Sequence, residues 1–316
     1  MRIPIGIRKL LTAVVAVAAL FAAYFAFARP WMLHWGATAF EARAVLPGDE
    51  RVPYATSAST RAVTIAAPPA RVWPWLAQLG QDRGGFYSYD VLENAVGSDM
   101  PRATTILRNR QQWKPGDKLW MYPPGKARGA GNAPLVRYEP GRVLVFGTRP
   151  LGSVSTAPEA GVWSLVLQPL GRDSSRLIAR GITSQRLSPG MAAFNAMLFE
   201  PMHFVMERRM LLNIKALAEG RTTSAWAELA EVCMWALAMF LMLFALVEVW
   251  RRRRWIAPLL VAAGAAGVFA VLTLTQPPWL VGAVFVGALV LTLWWTETGP
   301  PKLLRIRRRQ EESTII

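Results

Sequence analysis

The chain has 316 residues, a formal net charge of +16 and one cysteine. That cysteine, Cys233, leaves no intramolecular disulfide and no cysteine-built zinc site, and His34 and His203 are too few for a multi-histidine metal centre. A basic balance first suggests nucleic acid, but the Lys and Arg of the central block are scattered, which suits a solvated surface near anionic lipid; no nucleic-acid partner is expected.

Apolar stretches come first and last. Leu10 to Ala28 carries no charge and is long enough to cross a hydrocarbon core of about 30 Å. Ala230 to Trp250, with Glu231 and Glu248 at its ends, Trp255 to Thr275, and Trp279 to Thr296 read as three more spans, the last two linked by Pro277-Pro278. Trp226, Trp250, Trp255, Trp279 and Trp295 fall near boundaries, where indole rings prefer to sit. Arg2, Arg8 and Lys9, then Arg251 to Arg254, then Lys302, Arg305 and Arg307 to Arg309 all fall on one side of four spans. Near the span ends, the other side holds only Arg29, Arg43, Lys215 and Arg221. This asymmetry puts both termini in the cytoplasm and residues 29–225 outside it, in an integral plasma (inner) membrane protein. A cleaved secretory signal ending at Ala26-Phe27-Ala28 competes with this reading. The long apolar run and the Arg29-Pro30 start that cleavage would leave favour an uncleaved anchor.

Five regions follow: 1–28 as anchor, 29–58 as linker, 59–225 as the soluble domain, 226–298 as three transmembrane helices, and 299–316 as a basic cytoplasmic tail. In the domain, Thr60 to Ile65 alternates as a strand, Pro68-Pro69 ends it, and Val72, Trp73, Leu76 and Leu79 recur at helical spacing before Gly80. Gly84-Gly85 then permits a sharp turn into Phe86-Tyr87-Ser88-Tyr89-Asp90. From Lys114 onward, short runs separated by turn residues read as antiparallel hairpins: 118–122, 135–138, 142–146, 162–167 and 176–182. Pro123 to Pro134, rich in Gly and Pro, reads as an exposed loop. A long helix over Met191 to Glu219 closes the block, interrupted at Pro201, with Phe199, Met206, Met210, Ile214 and Leu217 on one stripe.

Val63-Thr64-Ile65-Ala66-Ala67-Pro68-Pro69-Ala70-Arg71-Val72-Trp73 resembles the opening strand and helix of the START-like, or SRPBCC, superfamily, whose bacterial members include polyketide cyclase/dehydrase and lipid-transport proteins. Gly84 to Asp90 and Glu200-Pro201-Met202-His203-Phe204-Val205-Met206-Glu207-Arg208 are similar to a membrane-associated branch of it. The resemblance covers about residues 59–219. It implies an α+β helix-grip domain, an antiparallel sheet around the long C-terminal helix, here joined to all-α transmembrane segments. It also implies an apolar cavity that takes a lipid, polyketide or other hydrophobic small molecule.

Candidate ligand contacts are Phe86, Tyr87, Tyr89, Trp120, His203, Met206 and Met210. Each has a plainer alternative. The Met stripe and Trp73 and Trp120 suit core packing, and the three loop rings could as well staple the loop to the sheet. His203, with Glu200 three residues before and Glu207 four after, is the sharpest polar group. A neighbouring carboxylate could tune it as an acid or base, while a partly buried, satisfied histidine is the plainer alternative. One Glu-x-x-His unit is half of a di-iron carboxylate site, and no second unit exists, so no metal is expected. With no phosphate-binding, dinucleotide or nucleophile-elbow motif, no cofactor is expected either. Three functions stay open: membrane-anchored binding of a hydrophobic ligand, an enzyme of cyclase/dehydratase type using His203, and a non-catalytic structural or regulatory membrane component. Binding without catalysis is preferred. Protein partners are not legible.

Overall fold

The structure, a computed structural model, describes residues 4–126, 131–148, 160–252 and 255–298. The basic tail 299–316, Arg2, Arg253, Arg254 and parts of two loops lie outside these residues. The chain forms two compact units, Met1–Thr223 and Ser224–Ile316.

The first unit opens with α1 (Ile5–Ala23), a π turn over Tyr24–Ala28, and α2 (Arg29–Leu33). Then come α3 (Ala39–Arg43), β1 (Ser57–Ile65), α4 (Pro69–Ala77), α5 (Asp90–Ala95), β2 (Lys118–Trp120), β3 (Asn132–Glu139), β4 (Val143–Thr148), β5 (Gly161–Pro169) and β6 (Ser175–Thr183). It closes with α6 (Pro189–Phe194), a second π turn over Asn195–Phe199, and α7 (Glu200–Ala218). The strands make one antiparallel sheet in the order β1-β6-β5-β4-β3-β2. Its inner face lies against α4 and α7, so the arrangement is helix-grip-like.

Side-chain alternation sorts the strands into two cores. Val63, Ile65, Leu144, Phe146, Leu165, Leu167, Leu177 and Ala179 point inward onto Val72, Leu76, Met210, Leu211 and Ile214. Ala62, Val143, Val145, Val162, Val166, Ile178 and Ile182 point the other way and are capped by Leu46 and Val52. Within residues 29–58, read from the sequence as a linker, residues 37–52 pack across the outer face of the sheet, while Met32 and Trp35 lie on its inner side. Thr38 and Glu41 form a capping box at α3, and Glu41 also takes a bidentate pair from Arg176 of β6, with Nε at 2.7 Å and Nη2 at 2.8 Å. Asp49 accepts from Arg180 at 3.0 Å. The Arg176 guanidinium, ahead of the Thr38 contacts, holds the Glu41 carboxyl down at about 2 against the partial burial that raises it.

The long closing helix breaks where proline requires it. Pro201 has no N–H for the carbonyls of Ala196 or Met197, and the helix widens into a π turn just before it. Pro30 does the same after Phe25 and Ala26.

In the second unit, α8 (Ala225–Arg251), α9 (Ile256–Thr275) and α10 (Trp279–Thr298) pack through Ala238, Leu241, Ala265, Leu272, Val286 and Leu289. Three helical stretches are long and apolar enough to cross a membrane: Gly6–Leu33, Ala225–Arg251 and Ile256–Thr275. The fourth expected span is represented by the shorter apolar stretch Trp279–Trp294.

The path from α2 into β1 passes a close approach at Gly36. Its φ is +71°, and a Cβ there would stand 2.1 Å from the Ala62 carbonyl oxygen. Gly141, in the β3–β4 turn, has φ +80° but open space around it. Gly141→Ala should lose about 1 kcal/mol from backbone strain alone, and Gly36→Ala at least about 2–3 kcal/mol because the strand must also move. Paired thermal melts check this, and equal losses would contradict the close approach.

Candidate functional site

The end of α2, the sheet and α7 meet at Arg61. In the alternation of β1, Arg61 shares the inner face with Val63 and Ile65, and only 1% of it is exposed. Guanidinium cannot shed its proton, so every buried N–H needs a partner. Nε donates to the Met32 carbonyl at 2.8 Å. That carbonyl belongs to the last turn of α2, where carbonyls lack helical partners and a cation is favoured. Nη1 donates to Glu207 Oε2 at 2.5 Å and to His203 Nδ1 at 3.3 Å. The guanidinium also lies 5.4 Å from the centre of the Phe204 ring, which meets Trp31 and Trp35 edge-on.

Glu207 is the counter-ion, 4% exposed, and its other oxygen accepts from Trp163 Nε1 of β5 at 2.6 Å. Burial alone would raise its carboxyl, but the Arg61 charge, then His203, outweigh that and hold it below the usual range. A buried ion pair of this kind is weak evidence for stability, yet deleting one partner alone typically costs about 3–5 kcal/mol.

His203 is placed by the same pair. Arg61 can only donate, so Nδ1 accepts and the neutral ring carries its proton on Nε2. Burial of the ring's inner side pushes its pKa down; Glu207 opposes this and Arg61 adds to it. The residue keeps an exposed edge and stacks on Phe199 at 6.0 Å. Nε2 has no hydrogen-bond partner among the described residues. A neutral ring in this tautomer can offer a hydrogen bond, but it has no free lone pair with which to take a proton.

Glu200, the other carboxylate expected beside His203, turns elsewhere. It takes a bidentate pair from Arg29, at 2.6 and 2.9 Å, and a bond from Asn195 Nδ2 at 2.7 Å.

The loop rings are fixed to the frame. Tyr87 is buried at φ +56°, and its hydroxyl accepts from Gln78 Nε2 at 2.7 Å. Tyr89 is buried, and its hydroxyl accepts from Arg209 at 2.7 Å. Asn213 Nδ2 donates to the Tyr87 carbonyl at 2.8 Å, and Ser88 Oγ to the Met206 carbonyl at 2.8 Å. Three contacts thus tie residues 87–89 to α7. Phe86 is half-buried against the inner core, as are Trp73 and Trp163. Met206 and Trp120 are half-buried, and Met210 is buried.

An open hollow between sheet and α7 was expected. That space is occupied by the chain itself: Phe146, Leu144, Leu165, Leu211 and Ile214 are fully buried there. Trp113 and Trp163 pack on Phe146 at ring separations of 5.1 and 6.1 Å. Two hollows lie elsewhere. One, of ≈ 280 Å³, is open at the surface beside Arg51, Val52, Ala160 to Val162 and Ser184; another, of ≈ 10 Å³, lies by Trp235 and Gln276.

No family model matches the chain, and no curated protein matches it. Solved structures do, over about half its length. The self-sacrificing resistance protein CalC of Micromonospora echinospora is 11% identical, with 53% of this chain and 97% of that one covered and a TM-score of 0.31. The Polyketide_cyc-like protein Cgl2372 of Corynebacterium glutamicum is 14% identical, with 51% and 91% covered and a TM-score of 0.26. The Zhui aromatase/cyclase of Streptomyces sp. R1128 is 15% identical, with 54% and 97% covered and a TM-score of 0.25. At these values none of those proteins' activities transfers to this chain.

Arg61 and Trp163 were not singled out in the sequence, and Arg29 was read only as a marker of topology, although the three hold the candidates in place. Both depressed groups make stability fall with acid. The unfolded imidazole takes up a proton near pH 6.5, which the folded ring resists, so folding weakens as pH drops below that value. Glu207 adds a second loss below about pH 4.5, the range of the unfolded carboxylate. Thermal melts of the full chain should show a falling Tm between pH 7 and 5, and His203→Gln should flatten that part of the curve. An unchanged slope in the variant would contradict the depressed histidine.

Proposed function

We propose that the chain is a membrane-anchored module that binds a hydrophobic molecule bearing one polar end, lipid-like or polyketide-like, between α7 and the sheet. The observation that carries this reading is the charged Arg61–Glu207–His203–Trp163 cluster at one end of an otherwise apolar inner face. Sites for greasy ligands pair apolar walls with a few polar groups that set orientation. Here the walls are Met210, Ile214, Leu144 and Leu165, and the orienting group is His203 Nε2–H, an unused donor. Because the interior is closed, entry requires α7 to shift. Met206 and Met210 are suited to that, since unbranched thioethers repack readily. Phe86 and Trp120 are proposed as rim contacts. The hydroxyls of Tyr87 and Tyr89 are already engaged, so these residues offer ring surface rather than hydrogen bonds.

The anchoring reading keeps four spans, with both termini cytoplasmic and residues 29–225 outside. It is supported by the apolar helices and by the placement of Lys and Arg around them. Catalysis by His203 is disfavoured by its tautomer, which leaves no basic nitrogen.

The filled interior favours a second reading, a tethered scaffold whose grip holds only its own side chains. Native mass spectrometry of the detergent-solubilised full chain separates the two. Binding predicts one retained apolar molecule per chain that exchanges with added lipid and is weakened by Met210→Phe and by His203→Ala. Absence of any retained or exchangeable molecule, with Met210→Phe lowering the melting temperature by crowding a filled core, supports the scaffold.

A further inference from the structure

Thirteen residues, Leu187 to Phe199, carry no charge between Arg186 and Glu200. An uncharged helical stretch of this length is too short to span a bilayer, and is ordinarily either a core helix or an interfacial one. It is not a core helix here. Phe194, Met197, Leu198, Phe199 and Met202 each keep 41–56% of their surface exposed, and Ala196 is the one buried residue in α6 and the π turn. A contiguous apolar face of this kind on a soluble surface marks a binding site.

Its neighbour says what covers it. The Tyr24 hydroxyl donates to the Ala196 carbonyl, which Pro201 has left without a helical partner. Five residues on from Tyr24 and four on from Ala196, the pattern repeats: Arg29 pairs with Glu200, and each stands immediately before a proline. Trp31 then meets Phe204. The two helices therefore run side by side in the same sense, with their π turns opposed. Arg29 is the first charge after the apolar run of α1, so it marks the edge of the hydrocarbon. At 1.5 Å per residue, Tyr24 lies about 7 Å inside that edge. Ala196, bonded to Tyr24, lies at the same depth.

We propose that the face formed by Phe194, Met197, Leu198 and Phe199, on the α1 side of the Arg29–Glu200 pair, is seated in the acyl chains of the bilayer that α1 crosses, as a monotopic element in the leaflet nearest the domain. This rests on the reading of Gly6–Leu33 as a span. The Arg29–Glu200 pair is the depth stop: it closes the two helices at the boundary, where a paired charge is tolerated and an unpaired one is not. Such an element presents the start of α7, and His203 beside it, to lipid.

The test uses the full chain with Cys233→Ser in vesicles of phosphatidylcholine and phosphatidylglycerol. Single cysteines are placed by Val14→Cys, Leu198→Cys, Met202→Cys and Arg172→Cys and carry nitroxide labels. Collisions with oxygen, which enters lipid, are compared with collisions with a nickel chelate, which stays in water. The label at 198 should follow the label at 14, gaining oxygen collisions and losing nickel collisions, while 172 shows the reverse and 202, two residues to the water side of the Arg29–Glu200 pair, falls between them. Nickel access at 198 equal to that at 172, with 14 protected, overturns the seating and leaves the span intact. Labels at 198 and 202 that are immobile and shielded from both reagents mean a protein cover, another helix of the chain or a second copy, and also overturn it. Nickel access at 14 removes the span and the seating together.

Discussion

Arg61 carries a charge that it cannot lose, and the sheet buries it. This constraint organises the first unit. The guanidinium must find acceptors from inside the protein, and it finds them on two elements that are distant in sequence from β1 and from each other. The α2 end supplies the Met32 carbonyl, and α7 supplies Glu207 and His203. Trp163 of β5 completes the second oxygen of Glu207. None of these groups could be apolar without leaving a buried charge or a buried donor unpaired. The grip of the sheet on the long helix is thus an apolar stack of Met210, Leu211 and Ile214 layers with one polar layer at its end.

Proline supplies a second constraint with the same outcome. A missing N–H at Pro30 and at Pro201 widens each helix at matching places, and the freed Ala196 carbonyl is met by Tyr24. Arg29 and Glu200, each just before its proline, then join. The end of the apolar N-terminal helix is held to α7 twice, by a surface-edge ion pair and by the buried cluster one turn further on. A movement of α7 relative to the sheet would strain both, which couples α7 to the end of the N-terminal helix.

Much of this frame was legible in the sequence. The alternation at Val63 and Ile65, the Pro68-Pro69 stop, the turn residues between the runs 135–138, 142–146, 162–167 and 176–182, and the Pro201 break all act locally, and strands β1 and β3 to β6 and the closing helix formed about where those signals put them. Residues 29–58 were read as a linker because their helices are five residues or shorter, too brief for a hydrophobic period to show. Their packing on the outer face depends on isolated residues such as Leu46 and Val52. Burial of β4 on both faces follows from that cover and could not be seen from β4 alone. His203 and Glu207 were visible as neighbours at helical spacing. Arg61 was not, since an arginine near the start of a strand reads as solvent-facing, and its partners are 29, 142 and 146 residues away. The closed interior was illegible for a different reason: whether a sheet and a helix enclose space depends on side-chain volumes at opposed positions, not on element order.

The clasp at Arg61 is tested most directly by hydrogen exchange on the full chain in lipid nanodiscs, comparing the parent with Arg61→Met. If one guanidinium joins three elements, amides near residues 31–37 and 203–211 should lose protection together, while those of α8 and α9 stay as they were. Loss confined to β1, or protection unchanged at the α2 end and along α7, would contradict the account.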